Sequence, residues 1–248
     1  MQPIECRIPK PVTTLEELEK VGEFLLVFAA YLVIEHEESV HRVVGHRLDT
    51  AIDRAIPFFA PSVFVYAMLW VFALAPLAYV RSNTYFRPLF ASMAATLVCS
   101  YAIFLVFPTK MILQPSLEGT PGFAAWLVRG IYADDGPYNC FPSVHVALSH
   151  LSAWSLGVMD RTVGRVAWVI AALITLSTLL LKQHYLADVV AGAAIGFAAH
   201  RFGLGRYARA CPPDAGDRRD RSVLWALVAL QGAGMIALFV TYLLRATT

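Results

Sequence analysis

Long apolar segments alternate with short polar segments along most of this chain. A helix needs about 20 apolar residues, with a range of about 17 to 25, to cross the hydrocarbon core of a bilayer. The clear candidates are 63–80, 89–107, 144–159, 166–181 and 223–244, with a short one at 186–200 and a shorter one at 24–34. The pattern predicts an all-α, polytopic membrane bundle of six core transmembrane helices plus one additional span. The segment at 24–34 is interpreted as either a tilted span or an interfacial helix.

The composition supports a membrane protein. The chain is 58% hydrophobic and 15% charged, with a mean hydropathy of +0.58, whereas soluble domains carry about 25% charged residues. A net charge of +2 gives no indication of a nucleic-acid partner. The apolar segments suggest an N-terminal cytoplasmic segment (1–20), a first span or interfacial helix with an outer loop (21–60), a transmembrane core (61–202), a cytoplasmic linker (203–221) and a C-terminal transmembrane helix (222–248).

The basic residues indicate an orientation. Cytoplasmic loops carry an excess of lysine and arginine. One set of loops holds Arg81, Arg87, Arg161, Arg165, Arg201, Arg206, Arg209, Arg218, Arg219 and Arg221, and the opposite set holds Arg42, Arg47, Arg54, Lys110, Arg129 and Lys182. Ten residues against six favour a cytoplasmic location for the first set, so we expect loops 108–142 and 182–185 on the outer face. For a bacterial inner membrane, which the short loops favour, that face is the periplasmic one.

One apolar segment on the outer side begins with chemically useful residues. In "CFPSVHVALSH" (140–150), Pro142 and Ser143 open the span and His145 follows within its first turn. Proline is tolerated at the start of a helix. A helix N-terminus also offers N–H donors and a positive dipole end to an anion. This opening is therefore suited to holding a phosphate.

Two further polar stretches fall on the same side of the membrane. Lys110 emerges at the end of a span in "FPTKMILQP" (107–115), and His184 and Asp188 lie in "LKQHYLADVVAG" (181–192). Residues four apart share a face of a helix, so the Asp188 carboxylate can orient the His184 imidazole. Phosphoryl transfer through a covalent histidine needs such a set. One imidazole attacks phosphorus, the other protonates the leaving oxygen, and cations stabilise the phosphate oxygens. No metal or other cofactor is required.

The pair of motifs "PSVH" and "STLLLKQHYLAD" (177–188) resembles the type 2 phosphatidic acid phosphatase superfamily. Its membrane members hydrolyse or transfer lipid phosphate esters with an active site on six core helices. The resemblance implies that His184 is the nucleophile, Asp188 its partner and His145 the general acid. It also implies that Ser143 binds phosphate and that Ser177 stands at the serine position of the third motif.

The chain departs from the pattern of that superfamily at several positions. Val144 replaces the usual glycine of the second motif, and Thr178 replaces the usual arginine of the third, which leaves Lys182 as a replacement cation. In the first motif Lys110 is present but the expected "RP" does not follow. The stretch "RSNTYFRP" (81–88) resembles that motif with one residue too few, but it precedes its span and is placed on the cytoplasmic side.

Three functions are consistent with these features. The leading one is hydrolysis of a membrane lipid phosphate monoester or diphosphate through a phosphohistidine, without a metal, with 61–202 as the catalytic core. The second is transfer of a head group to a lipid alcohol, because "FPSVHVA" with "KQHYLAD" is also similar to the inositol phosphorylceramide synthase branch. The third is a non-catalytic lipid-binding or transport protein. It would tolerate substitution of the histidines.

Overall fold

The structure is a computed structural model that describes residues 45–246, together with Thr13, Leu15, Glu19 and Gly22. Within these residues the secondary structure is helical, with only isolated bridge pairs of extended backbone. The helices are α1 (Ala51–Ala55), α2 (Val63–Tyr66), α3 (Leu69–Tyr79), α4 (Asn83–Val106), α5 (Phe123–Asp134), α6 (Val144–Met159), α7 (Arg161–Leu180), α8 (Leu186–Phe202), α9 (Leu204–Ala210) and α10 (Ser222–Ala246), with short 3₁₀ turns at Ala60–Ser62 and Ala215–Asp217. The predicted all-α fold is confirmed.

Four helical segments are long and apolar enough to cross a membrane: Ala60–Tyr79, Asn83–Val106, Arg161–Leu180 and Ser222–Arg245. The chain is therefore an integral membrane protein. The apolar α6 has 16 residues, and α8 has 17 but includes Asp188, His200 and Arg201. The count of six core spans is thus not established by length and composition. The predicted segment at 24–34 lies outside the described residues.

Two helices begin earlier than the apolar pattern predicted. Helix α7 begins at Arg161 and not at 166, because the Asp160 side chain accepts hydrogen bonds from the backbone N–H groups of Thr162 and Val163. This is an N-cap, which satisfies N–H groups that have no partner within the helix. Helix α4 begins at Asn83 and accommodates Pro88 in its second turn. In both cases polar residues form the first turn, which an apolar window does not detect.

The helices run up and down, so the loops gather at two ends of the bundle. At one end the backbone N–H of His46 bonds to Pro108, and that of Phe59 bonds to Leu180. We call this the histidine end, comprising 45–62, 107–145 and 181–188. At the other end Arg81 N–H bonds to Asp217, and Arg219 N–H bonds to Tyr79. We call this the arginine end, comprising 80–82, 160 and 203–221.

Helix α6 lies at the centre of the bundle, between α3, α4, α7 and α8. Glycines allow its closest contact, because an added Cβ at Gly192 would collide with the Ser143 carbonyl oxygen and one at Gly196 with that of Ala147. The two glycines are four residues apart, a spacing that brings membrane helices together. This contact fixes the start of α8 against the start of α6. Helix α10 lies at the periphery, with most of its apolar side chains exposed.

Candidate active site

His145 and His184 face each other at the histidine end. His145 lies in the first turn of α6, and His184 lies in the loop that leads into α8. The Nε2 atom of His184 is 3.3 Å from the Nδ1 atom of His145, and the ring centroids are 5.3 Å apart. The fold therefore brings together the two motifs that carry these histidines, "PSVH" and "STLLLKQHYLAD".

A backbone carbonyl holds the other side of the His184 ring. The Nδ1 atom of His184 lies 2.9 Å from the carbonyl oxygen of Cys140. A carbonyl can only accept, so Nδ1 carries the hydrogen and donates it to this oxygen. In the neutral ring Nε2 is then left with its lone pair, and this lone pair faces His145. The arrangement is suited to a nucleophilic Nε2.

Asp188 lies behind His184 but makes a weaker contact than the sequence suggested. Its Oδ2 atom is 3.6 Å from His184 Nδ1, beyond good hydrogen-bond distance. The same oxygen accepts a hydrogen bond of 2.7 Å from the backbone N–H of Tyr185. The Oδ1 atom is buried and has no hydrogen-bond partner among the described residues. The carboxylate therefore lies close enough to the imidazole to stabilise positive charge that develops there.

Ser143 caps the helix that carries His145. Its side chain is fully buried, and its Oγ accepts a hydrogen bond of 3.2 Å from the backbone N–H of Val146. Its own backbone N–H bonds to the carbonyl oxygen of Asp188 at 3.0 Å. A hydroxyl that accepts one bond can still donate another. Phosphate binding by Ser143 stays a prediction that this geometry permits.

Lys182 and Ser177 are not brought to the histidine pair. The Lys182 ammonium donates to the carbonyl oxygens of Asp53 and Ile56 at 2.6 and 2.5 Å, and Ser177 Oγ donates to Ile174 within its own helix. Burial lowers the pKa of Lys182, an effect that the Asp53 charge opposes. A phosphate contact by either residue would require these bonds to break. For both residues that role stays a prediction without geometric support.

Lys110 is linked through its backbone to Tyr185, the residue that follows His184. Its carbonyl oxygen accepts a hydrogen bond of 3.0 Å from the hydroxyl of Tyr185. Its ammonium is 3.4 Å from the hydroxyl of Tyr138 and 5.1 Å from the centre of that ring. The side chain is only half-buried and its polar partner is neutral. Lys110 therefore remains available to an anion, and its phosphate contact stays a prediction.

The other cations of the described histidine end are engaged by the protein itself. Arg47 and Arg54 pair with Asp49 at 3.4 and 2.5 Å. Arg129 donates to the carbonyl oxygens of Leu117 and Thr120. The stretch 81–88, set aside on topology, begins at the arginine end, as the sequence predicted. Within the described part of the chain, no cluster of three or more histidine, cysteine or acidic side chains is arranged to hold a metal ion.

Sequence reasoning missed several contributors to this site. The Cys140 carbonyl is a backbone group, and Tyr66, which stacks on His145, lies in an apolar segment that gives no signal. Asp53 was detectable, since "TAID" (50–53) has the threonine-to-acid spacing of a capping box. The Asp53 Oδ1 also accepts a hydrogen bond of 2.7 Å from the N–H of Leu186, at the start of α8.

Comparison with known families agrees with this geometry. The family model described as the PAP2 superfamily matches residues 32–202, which include both histidines and Asp188. The chain belongs to the PAP2 superfamily. That membership supports a function of the phosphatase or phosphotransferase type. The match does not distinguish the inositol phosphorylceramide synthase branch. No curated protein and no solved structure showed significant similarity to the chain.

Proposed function

We propose that this PAP2 protein hydrolyses a lipid phosphate monoester or diphosphate at the membrane surface through a phosphohistidine at His184. The observation that carries the proposal is the placement of the His184 ring. Its Nδ1 is fixed on the Cys140 carbonyl at 2.9 Å, and its Nε2 is directed at His145 at 3.3 Å. The nitrogen that would attack phosphorus and the imidazole that would carry the proton thus lie next to each other.

The first step uses these two nitrogens in different roles. The lone pair of His184 Nε2 attacks phosphorus, and the bond between phosphorus and the lipid oxygen breaks. Nδ1–H of a protonated His145 delivers its proton to that oxygen, so the lipid leaves as a neutral alcohol. The positive charge that develops on the His184 ring is stabilised by the Cys140 carbonyl and by Asp188.

The second step reverses the role of His145. Now neutral, it accepts a proton from water as the water oxygen attacks phosphorus. The bond between phosphorus and His184 Nε2 breaks, which returns the lone pair to Nε2 and releases phosphate. Microscopic reversibility requires the same group to act as acid and then as base. The protein ends in its starting protonation state.

A specific observation favours transfer of a head group as a second candidate. A phosphomonoester carries about −1.5 to −2 charge at neutral pH, whereas a phosphodiester carries one negative charge. Within the described residues, Lys110 is the predicted phosphate cation whose ammonium is not bound to a carbonyl or carboxylate. A site with little positive charge is better matched to the single negative charge of a diester than to the larger charge of a monoester. In that reaction the hydroxyl of a lipid alcohol would replace water in the second step.

The test is a product assay with purified protein in detergent. The panel contains lipid phosphates, lipid diphosphates, and head-group phospholipids with and without ceramide or diacylglycerol. His184→Ala is compared with His150→Gln, a control on α6 whose histidine contacts Thr175 and Trp168. We expect free phosphate from the wild type and the control and none from His184→Ala. A new phospholipid formed only with an acceptor alcohol would instead establish the transferase, and full activity of folded His184→Ala would refute both.

We also propose that the histidine end faces the outside of the cell, in a bacterium the periplasm. Support comes from the basic residues of the arginine end. Single cysteines placed at the exposed positions Glu118 and Ala215 report the two ends. In intact cells, an impermeant thiol reagent should label the first and not the second. The reverse pattern would overturn the orientation.

A further inference from the structure

His145 is fixed mainly by an aromatic ring. The Tyr66 ring stacks on its imidazole, with centroids 4.7 Å apart and planes at 30°. Within the described residues, the His145 ring makes one hydrogen bond, the 3.3 Å contact with His184. That contact must yield when a phosphorus atom approaches His184 Nε2. During the reaction, therefore, the flat face of Tyr66 is what remains to orient the His145 ring.

Tyr66 is itself held at both ends. Its side chain is 2% exposed and belongs to an apolar cluster with Val63, Leu117, Val128 and Leu181. Its hydroxyl donates a hydrogen bond of 3.1 Å to the Oδ2 atom of Asp135, at the end of α5. The phenol can therefore neither slide along the imidazole nor rotate away from it. This hydrogen bond joins α2 to the C-terminus of α5, and the two bonded residues are 69 positions apart along the chain.

The stack favours the orientation and the charge that a proton donor needs. Stacked aromatic pairs attract each other beyond the effect of buried area, which disfavours rotation of the ring. Rotation by half a turn would place a carbon where Nδ1 now faces His184. The face of a tyrosine ring also attracts a cation, so it stabilises the protonated imidazole. The hydrogen bond to the Asp135 carboxylate makes the phenol ring more electron-rich and strengthens that attraction.

We infer that Tyr66, anchored by Asp135, is a positioning residue for His145 in its role as proton donor to the leaving group. This inference rests on the proposed function, because it assigns Tyr66 a task in that reaction. It predicts a defect that depends on the leaving group. An alkoxide needs a proton in order to leave, whereas para-nitrophenolate leaves without one. Misplacing His145 should therefore slow formation of the phosphohistidine only for the first kind of substrate. The quantity to compare is kcat/KM, which reports this step and not the later attack of water that both substrates share.

The experiment compares a long-chain alkyl phosphate with para-nitrophenyl phosphate, or the corresponding alkyl and para-nitrophenyl phosphodiesters if the wild type acts on diesters. For Tyr66→Leu we expect kcat/KM on the alkyl ester to fall by about tenfold or more, within the roughly 10²–10⁴-fold that a positioned acid supplies. The para-nitrophenyl ester should be nearly unaffected. Tyr66→Phe keeps the ring and should recover most of the loss, and Asp135→Asn, which can still accept the bond, should resemble it.

Tyr132→Phe is the matched control. Tyr132 packs against the same apolar cluster and donates to the Leu181 carbonyl, while its ring is not stacked on His145. We expect it to change both substrates by the same factor. Equal losses on both substrates in Tyr66→Leu would overturn the inference, since they would indicate a structural role. If Tyr66→Leu does not fold, Tyr66→Met, which also removes the ring, takes its place, and equal losses on both substrates in that variant would overturn the inference.

A second readout does not depend on turnover. In histidine-labelled protein in detergent, the Tyr66 ring current should shift the His145 ring protons, which are identified by their loss in His145→Gln. Tyr66→Leu should abolish this shift and Tyr132→Phe should not. Unchanged His145 signals in Tyr66→Leu would refute the stack. A normal shift in a wild type that acts on none of the esters would instead count against the proposed function.

Discussion

The two ends of the bundle each contain a buried aspartate near the start of a helix, and they use it differently. At the arginine end, Asp160 caps α7 and accepts hydrogen bonds from Tyr79 at 3.2 Å and from Arg221 at 2.7 Å. Arg218 adds an ion pair at 2.9 Å. At the histidine end, Asp188 has one backbone partner, one unpaired oxygen and a histidine at 3.6 Å.

On the proposed mechanism, this difference distinguishes a carboxylate with a structural role, Asp160, from one with a catalytic role, Asp188. The charge of Asp160 is fully compensated, so it ties α3, α7 and the 203–221 segment together. The charge of Asp188 is only partly compensated, which costs stability but leaves an electric field at His184. Ionisable groups inside a membrane segment are costly and mark functional sites. The comparison predicts that substitutions at the histidine end change catalysis and those at the arginine end change stability.

The largest effect after loss of His184 should come from His145→Gln. Glutamine can occupy the site but cannot deliver a proton. We expect kcat on an alkyl ester to fall by about 10²–10⁴-fold, the usual contribution of a general acid or base. Thermal unfolding in detergent should change little. A loss of folding without a loss of specific activity would remove the contrast between the two ends.

Asp188→Asn and Asp160→Asn test the comparison directly. Replacing the aspartate of a histidine triad can cost about 10⁴-fold when that aspartate sets the tautomer. Here the Cys140 carbonyl holds Nδ1, so we expect a smaller loss in kcat for Asp188→Asn, about 10–100-fold as for other supporting contacts. A loss near 10⁴-fold would show that Asp188 sets the tautomer after all.

Asp160→Asn should leave kcat unchanged and lower the free energy of unfolding. Hydrogen bonds to charged groups contribute about 1.5–3 kcal/mol, and solvent screening of the exposed Arg221 reduces this to about 1–2 kcal/mol. Thermal unfolding of purified protein measures it. Reduced kcat with unchanged stability would contradict a purely structural role.

Substitutions of the two lysines at the histidine end should also differ, one lowering activity and the other lowering stability. Lys110→Met removes a cation that is available to phosphate, and we expect kcat/KM to fall by about tenfold, the value of one charge-assisted hydrogen bond. Lys182→Met removes the bonds to Asp53 and Ile56 and should mainly lower the unfolding temperature. Steady-state kinetics and thermal unfolding of both variants provide the test. A larger kinetic effect for Lys182 would restore it as the replacement cation that the sequence suggested.

The smallest expected effect is the pH dependence of the stabilisation that Asp160 provides. Burial raises the pKa of Asp160, but the hydrogen bond from Arg221 and those from the N–H groups of Val163 and Thr162 outweigh this and bring it to about 2, below its ordinary 3.8. The stabilisation by Asp160 is therefore complete above pH 4 and is lost as the pH falls through about 2. Between pH 5 and 9, the difference in stability between the wild type and Asp160→Asn should stay constant. A difference that changes across this range would mean that Asp160 titrates there.

The sequence predicted the helical bundle, and it singled out the two histidines that the fold brings together, for identifiable reasons. Apolar runs of helical length are a strong signal in a membrane protein, and His184 and Asp188 are close along the chain. His145 could be added because it opens an apolar segment on the same side of the membrane as His184, and the motif order then matched a known family. These predictions depend on the spacing of residues along the chain, which the sequence shows directly.

Other parts depend on contacts between distant segments. The bond from Lys182 to Asp53 joins residues 129 apart, and that from Tyr66 to Asp135 joins residues 69 apart. The Cys140 carbonyl is a backbone group that any residue would supply. Periodicity and motifs do not report such contacts. The expected phosphate contact of Lys182 therefore rested on its position in the sequence, while the fold directs its ammonium elsewhere.

The most direct test of the account is to trap the intermediate. Purified wild type, His145→Gln and His184→Ala would be quenched during turnover of a para-nitrophenyl ester, whose leaving group needs no proton from His145, digested under conditions that preserve phosphohistidine, and analysed by mass spectrometry. We predict a phosphoryl or phospho-head-group adduct on the peptide that contains His184, enriched in His145→Gln and absent from His184→Ala. An adduct on another residue, or none while substrate is being consumed, would contradict the assignment of His184 as the nucleophile.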